Sequence, residues 1–301
     1  MKRIFTLLSI LLPILAEAQH FGNSSAQQDP MPAVYFQNQF LANPAMAGLD
    51  SGLNINVGYR KQWTDVKDGP VTTLFTADYR IDPKMSAGLT VYSDRAGVLN
   101  HTRIGLSYAY HLPLNEAKDE HLHLGLTLGL DNKRIQRSKI IGDQDDPAVD
   151  AYNRRDNYFE TDFGMAYTNK RLTIQAALPN LASTFQNKQN VEGRNTTMAY
   201  AAVSYKFGTQ SEQISSWEPK LAIRGVRGYK SIVDIGANVS LARNFANVFA
   251  MYHTSNSVTA GIGFHFKNTV EVQMSYTSQT AGVKTNVDGN FGLNVNVRLF
   301  K

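Results

Sequence analysis

The sequence has no cysteine among its 301 residues, so a small disulfide-stabilised scaffold is excluded. After residue 18 it has no run of about 20 apolar residues, the length that a membrane-spanning helix requires. Its net charge of +5 is modest and forms no stripe of lysine and arginine, which argues against a nucleic-acid partner. It has no Gly-x-Ser-x-Gly elbow. We therefore expect no enzyme activity, no catalytic residues and no cofactor.

The N-terminus has the composition of a secretory signal. Two basic residues precede an apolar run from Ile4 to Leu15, and small residues two positions apart follow. This run is too short to cross about 30 Å of hydrocarbon as a helix. The pattern predicts a signal peptide over 1–18 that is cleaved before Gln19. A separate segment over 19–50 and a main domain over 51–301 follow.

Alternation of apolar and polar residues recurs through the rest of the chain. Leucine occupies every second position from Leu122 to Leu130, and the residues from Asn290 to Phe300 alternate as regularly. Alternation of period two is typical of β-strands, and no comparable stretch has apolar residues at helical spacing. The chain is therefore predicted to be all-β. The predicted strands, about fourteen, are 52–63, 69–80, 85–95, 101–112, 121–134, 157–168, 171–179, 196–207, 217–227, 231–242, 246–254, 257–267, 269–279 and 289–300.

The connections between these strands alternate between tight turns and longer polar links. Short turns at one rim and long loops at the other predict a transmembrane, antiparallel up-and-down β-barrel of about 14 strands. Polar side chains would then face the lumen, because they are costly in contact with hydrocarbon. The tight turns are 81–84, 167–171 and 266–269, and the long links are 135–156, 180–195 and 280–288.

A soluble β-sandwich explains the alternation equally well. It does not explain why aromatic residues occur near the strand ends, where they fit the interfacial girdles of a membrane barrel. The last strand also ends in an aromatic residue, which resembles the terminal signal of bacterial outer-membrane barrels. The aromatics that we expect to face lipid are Tyr59, Tyr79, Tyr92, Tyr110, Tyr167, Phe207 and Phe266.

Two groups of residues have some of the features of metal sites. His121 and His123 lie two apart on the lumen side of one strand, where His111 or His265 could join them. Histidine on a wet barrel wall needs no ligand, so we predict no metal. The acidic loop 142–150 lacks the glycine and the bidentate glutamate of a calcium loop. A solvated acidic loop is the favoured interpretation, and calcium binding there stays open.

Residues 27–50 do not alternate. Tyr35, Gln39 and Ala42 could share a helical face, which Asn43-Pro44 then ends, because the residue before proline is displaced from the helical region. Gly48 permits a turn into the first strand. We predict a short helical segment that caps or plugs the periplasmic mouth of the barrel.

A recognisable signature brackets the first predicted strand. Its residues are Asp29, Pro30, Tyr35, Asn38, Asn43, Pro44, Ala45 and Gly48 before the strand, and Tyr59, Arg60, Gln62 and Trp63 at its end. Together with the stretch YAYHLPL at 108–114, these residues resemble the PorP/SprF family, outer-membrane barrels of the type IX secretion system of Bacteroidetes. The resemblance is dense in the first 135 residues and weaker afterwards. One departure is 31–34, where members more often have phenylalanine-serine.

The resemblance implies a role in secretion. Members of this family help to export or anchor particular secreted cargo proteins, often adhesins used in gliding motility, that carry a C-terminal sorting domain. Some are tied to periplasmic components of the machine. The resemblance thus implies a non-enzymatic outer-membrane barrel whose partners are lipid, a cargo protein and secretion components. The loops 135–156 and 180–195 and the N-terminal segment are the expected contact surfaces. A passive channel for small solutes is the alternative, because fourteen strands allow an aqueous lumen.

Overall fold

The fold is a single closed β-barrel, seen in a computed structural model. The structure describes residues 36–63, 69–140, 146–154, 157–181, 197–209, 211, 213–226, 231–267, 269–279 and 289–300. The predicted signal peptide (1–18) and the signature residues Asp29, Pro30 and Tyr35 lie outside the described residues.

Within the described ranges, the barrel wall is built from fifteen β-segments in one antiparallel sheet. The two-residue segment β9 continues β8 after Lys206 and pairs with the same neighbour, so the wall has fourteen strands. The segments are β1 (Leu53–Lys61), β2 (Val71–Asp82), β3 (Met85–Ala96), β4 (Leu99–Asn115), β5 (Glu120–Ile135), β6 (Tyr158–Thr168), β7 (Leu172–Leu178), β8 (Thr197–Tyr205), β9 (Phe207–Gly208), β10 (Ile214–Val226), β11 (Ile232–Leu241), β12 (Ala246–His253), β13 (Ser257–Phe266), β14 (Val270–Gln279) and β15 (Asn290–Leu299).

The last strand closes the barrel onto the first. β15 pairs with β1 from Leu53 opposite Leu299 to Lys61 opposite Phe291, and β15 also pairs with β14. A closed sheet leaves no edge, so every strand satisfies its backbone groups within the protein, as a lipid environment demands. The predicted all-β barrel of about fourteen strands is confirmed, and the predicted strand bounds agree with the observed ones to within a few residues.

The two rims of the barrel differ. β1 begins and β15 ends at one of them, named here the terminal rim, where turns such as 82–85 and 266–270 are tight. The long connections after β5, β7 and β14 all lie at the opposite rim, named here the loop rim. The predicted segregation of these turns and loops is confirmed. The β3–β4 and β12–β13 connections are exceptions, because both are tight turns at the loop rim, with Gly97 at φ 57° in the first and Asn256 at φ 60° in the second.

Alternation along each strand sorts the side chains between the lumen and the lipid. On β1, Asn54, Asn56 and Arg60 are buried, whereas Val57 and Tyr59 on the opposite face are exposed. The aromatics predicted to face lipid are likewise exposed at positions 79, 110, 207 and 266.

The prediction that Tyr92 faces lipid is wrong. Tyr92 shares its side of β3 with the buried residues Thr90 and Asp94, and its ring packs edge-on against His101 at 5.4 Å. Position along the strand decides which face a side chain occupies, and the aromatic character of the residue does not override it.

The helical elements in the described residues are short. They are four 3-10 turns (Gln39–Leu41, Pro44–Met46, Glu116–Lys118 and Arg137–Lys139) and one α-helix, α1 (Pro147–Asn153). The helix α1 was not predicted, although Asp146-Pro147 is a start signal: Asp146 Oδ1 accepts a hydrogen bond from Ala148 N at 2.7 Å. None of these helices is long and apolar enough to cross a membrane.

Candidate functional site

Residues 36–50, named here the plug segment, lie in the lumen against the wall. Asn38 Nδ2 donates a hydrogen bond to Thr76 Oγ1 at 2.9 Å. Further along the segment, the backbone N–H of Gly48 donates to Asp78 Oδ2 at 2.8 Å. Both acceptors are inward side chains of β2, so the segment is bound to the wall at both of its ends.

The plug segment forms two 3-10 turns, where the sequence predicted one short helix. Asn38 Oδ1 accepts from Leu41 N at 3.2 Å, and Asn43 Oδ1 accepts from Ala45 N at 3.0 Å. Each asparagine therefore begins one turn. Asn43 is extended, at φ −150° and ψ 113°, as expected of a residue before proline.

Asn43 also anchors the middle of the plug segment to the wall. Its Nδ2 donates to the Met165 carbonyl oxygen at 3.1 Å and lies 3.4 Å from Gln175 Oε1. Gln175 Nε2 in turn donates to Gln39 Oε1 at 2.7 Å. The segment is thus tied to β6 and β7 as well as to β2.

Glycines of the wall provide the space in which the plug segment lies. A Cβ on Gly125 would overlap the backbone of Ala45, and one on Gly164 would overlap the side chain of Asn43. A Cβ on Gly88 would overlap the ring of Phe40, with Cε1 at 2.9 Å. Strand glycines commonly mark a close approach of another backbone, and these three have that role.

Phe36 contacts the side of the lumen opposite β2. Its ring centroid lies 6.0 Å from that of Phe249 on β12, and Lys220 Nζ lies 4.9 Å from the centroid of the Phe36 ring. Phe36 and Ala42 pack against the buried cluster of Ala177, Tyr200, Ala202, Ala222 and Met251. The segment therefore contacts inward residues from β2 to β12.

The structure divides the predicted signature into two groups. Asn38, Asn43, Pro44, Ala45 and Gly48 come together in the plug segment.

The second group, Tyr59, Arg60, Gln62 and Trp63, lies at the loop-rim end of β1. The plug segment connects to the opposite end of this strand, at the terminal rim. Tyr59 faces lipid, Arg60 is buried on the lumen side, and Gln62 N donates to Pro70 O at 2.8 Å. Trp63 adopts a left-handed backbone with φ 52°. These residues shape the exit from the first strand.

The candidate metal histidines form a hydrogen-bonded chain. His111 Nδ1 and His123 Nδ1 are 2.7 Å apart, so one imidazole donates to the other. Their Nε2 atoms lie 2.8 Å from Ser86 Oγ and Thr168 Oγ1. His121 stacks on His123 with centroids 5.9 Å apart. Over the part of the chain that the structure describes, no group of three or more ligand side chains could hold a metal ion.

A charged network lies in the lumen on the loop-rim side of the plug segment. Arg103 forms ion pairs with Asp162 at 2.6 Å and Glu160 at 3.2 Å. Asn180 Nδ2 donates to Glu160 Oε1 at 2.9 Å, and its backbone N–H donates to Asp162 Oδ1 at 2.8 Å. The network ties the start of loop 180–195 to the wall. The sequence placed these strand residues inward but could not identify which of them pair.

A second group of ion pairs is fully buried on the lumen side of β10 to β12, across the barrel from the network of Arg103. Arg224 Nε donates to Asp234 Oδ2 at 2.8 Å, and His253 Nδ1 lies 2.5 Å from Asp234 Oδ1. His253 Nε2 and Thr259 Oγ1 are 2.8 Å apart. This chain of polar contacts joins four neighbouring strands, β10 to β13, on their lumen side.

The described part of the acidic loop is folded onto the loop rim. Asp150 of α1 pairs with Arg137, and Arg134 Nη1 donates to the Asn153 carbonyl oxygen at 2.6 Å. The remaining acidic positions, within 141–145, lie outside the described residues. The carboxylates that are described act as a helix cap and as partners of arginine.

Comparison with known proteins shows both a family and a fold. The sequence matches, over residues 24–297, the model of the family described as type IX secretion system membrane protein PorP/SprF. No curated protein matches the chain. The CymD monoaromatic hydrocarbon channel has a similar structure, with a TM-score of 0.52 and 12% identity over 88% of this chain and 93% of that one. Omp33 of Acinetobacter baumannii is similar with a TM-score of 0.49 and 8% identity, over 84% and 100% respectively. At such low identity the CymD likeness shows the barrel fold alone.

Proposed function

Because the chain belongs to the PorP/SprF family of type IX secretion system membrane proteins, we propose that it is a non-enzymatic outer-membrane barrel that holds a protein partner. The partner is a secreted cargo protein with a C-terminal sorting domain, or a component of the machine. The observation that supports this proposal is the plug segment, which occupies lumen space that a solute would cross and is bound to the wall at several points.

The loop rim is the proposed contact surface for cargo. Loop 135–156 contains α1, which the Arg137–Asp150 pair holds to the preceding turn. Loop 180–195 starts at Asn180, which is bonded to two carboxylates of β6. Loops anchored at their bases lose less conformational entropy when a partner binds, which favours affinity. The terminal rim, with both ends of the barrel chain, would face the periplasm.

Removal of the gene tests the proposal in the native organism. We expect one or a few secreted proteins with C-terminal sorting domains to disappear from the cell surface, while uptake of small solutes is unchanged. Surface proteomics of intact cells measures the first, and solute uptake the second. Complementation with the full chain should restore the surface protein. Normal surface display of every such protein in the deletion strain would refute a role in cargo export or anchoring.

A passive channel is the second candidate. It is favoured by the fold likeness to a protein described as a monoaromatic hydrocarbon channel. Conductance of the purified protein in planar bilayers separates the two functions, because a seated plug segment should leave the barrel closed. Large, stable openings of the unmodified chain would support the channel and contradict the partner-holding role for the plugged barrel.

A further inference from the structure

The terminal rim has an uneven distribution of charge. The turns after β2 and β4 mix the lysines Lys84 and Lys118 with four carboxylates, at positions 82, 116, 119 and 120. The next four connections around the rim, 169–171 after β6, 206–213 around β9, 242–245 after β11 and 267–269 after β13, carry exposed cations, and Glu212 is the one carboxylate in their sequence. Over the described residues, none of these cations is in an ion pair. The cations, named here the basic sector, are Lys170, Arg171, Lys206, Arg243 and Lys267.

Exposed aromatic rings accompany the cations in the same sector. Lys206 is followed by Phe207, Arg243 is followed two residues later by Phe245, and Phe266 is followed by Lys267. All three rings are among the exposed large hydrophobic side chains. The same pair of residue types therefore recurs at three successive turns.

The rings continue the lipid-facing wall of the barrel. Phe207 stacks on Trp217 of β10, with centroids 4.5 Å apart and planes 11° apart. Phe245 packs edge-on against Phe266 at 6.5 Å. Aromatic side chains at the end of a membrane strand lie at the level of the lipid headgroups. The neighbouring cations are thereby held at the depth where lipid phosphates lie.

We propose that the basic sector binds the headgroup phosphates of anionic glycerophospholipids in the adjoining leaflet. Cations held at a membrane surface attract anionic lipids, and the attraction is screened by salt. A lipid is favoured over an acidic protein because the rings beside the cations belong to the lipid-facing surface. The proposal is independent of any role in secretion.

The two tryptophans of the chain provide the measurement. Trp217 stacks on Phe207, next to Lys206 of the basic sector, whereas Trp63 lies at the loop rim. Because these are the two tryptophans of the sequence, Trp63→Phe leaves a single fluorescent reporter at the proposed site. The full-length W63F protein is reconstituted in bilayers that contain a brominated anionic lipid (phosphatidylglycerol) or a brominated neutral lipid (phosphatidylcholine). Quenching of Trp217 fluorescence gives the binding constant of the anionic lipid relative to the neutral one.

We expect the anionic lipid to bind about two- to fivefold more strongly beside Trp217, and the preference to shrink as salt is raised to about 0.5 M. The variant K206Q/R243Q/K267Q should lower the ratio towards one. The variant K84Q/K118Q, in the mixed-charge turns, is the matched control and should leave it unchanged.

Three results would overturn the proposal. They are a ratio near one in the W63F protein, a preference that salt does not reduce, and a preference that survives K206Q/R243Q/K267Q. The salt titration needs no variant in the sector, so it remains decisive if the triple variant does not fold.

Discussion

The position of the plug segment allows the effect of a single methyl group to be worked out. A Cβ on Gly125 would lie 2.6 Å from Ala45 Cα. Non-bonded carbons prefer about 3.5–4.0 Å, so Gly125→Ala requires the segment to move by roughly 1 Å or more. The obstructing atoms belong to the backbone, and no change of rotamer relieves the overlap.

A shift of that size removes the contacts that hold the middle of the segment. The two hydrogen bonds from Asn43 to β6 and β7 contribute about 1–3 kcal/mol together. Met46, which is 5% exposed, contributes about 1.5–3 kcal/mol through its burial. We therefore expect Gly125→Ala to destabilise the plug segment in its lumen position by roughly 2.5–6 kcal/mol and to lower the fraction of molecules in which it is bound there.

A disulfide reports whether the segment is seated. The sequence has no cysteine, so the pair Asn38→Cys and Thr76→Cys, whose native side chains are hydrogen-bonded at 2.9 Å, introduces a single possible bridge. Oxidation should join the pair in the parent protein and much less in Gly125→Ala. Gly129→Ala is the matched control on the same face of β5, because its Cβ would meet only the end of the Arg103 side chain, at 3.2 Å. Equal disulfide yields in the two glycine variants would refute the reasoning.

Two further predictions concern stability, and each is measured by the temperature at which the folded protein shifts in electrophoretic mobility. Arg224→Met leaves Asp234 buried without its guanidinium partner and should lower the free energy of unfolding by about 3–5 kcal/mol. Arg154→Met removes the exposed ion pair with Asp150, at 3.9 Å, and should lower the free energy of unfolding by less than about 1 kcal/mol. Equal shifts would contradict this assignment of the buried pair. Leu106→Arg, at a mid-strand position of β4 facing lipid, should lower the free energy of unfolding by about 2–4 kcal/mol. Leu114→Arg, on the same face of β4 beside the terminal rim, should lower it by about 0–1 kcal/mol. Similar costs at the two positions would contradict the assigned depth of β4 in the membrane.

The barrel was predictable because its main signal is local. Alternation at period two identifies a strand from its own residues. Because polar and charged side chains are costly in contact with lipid, the polar side of each strand is the one that points inward. The leucines of β5 illustrate this, since Leu124, Leu126 and Leu128 are all exposed, as predicted. Tyr92 points inward because of its position on β3, which its residue type does not indicate. The helix α1 was missed because its seven residues lie in a polar loop with no apolar periodicity.

The lumen contacts were less predictable because they join residues far apart in the chain. Asn43 and Met165 are 122 positions apart, and Gln39 and Gln175 are 136 apart. Strand periodicity shows that a side chain points inward but not what it meets there. The pairing of Arg103 with Glu160 and Asp162 depends in the same way on the register of β4, β5 and β6, which the sequence does not state.

The signature of the plug segment and the glycines of the wall are parts of one packing arrangement. Asn43 begins a turn with one atom of its amide and binds the wall with the other, and Pro44 holds that residue extended. This arrangement fits only where Gly125 and Gly164 leave the wall without a Cβ. The motif thus secures the plug segment within its own barrel. If the protein selects a partner, the residues that discriminate between partners should therefore lie in the loop-rim connections, and exchanging loop 135–156 between family members should transfer cargo preference while the plug segment stays seated.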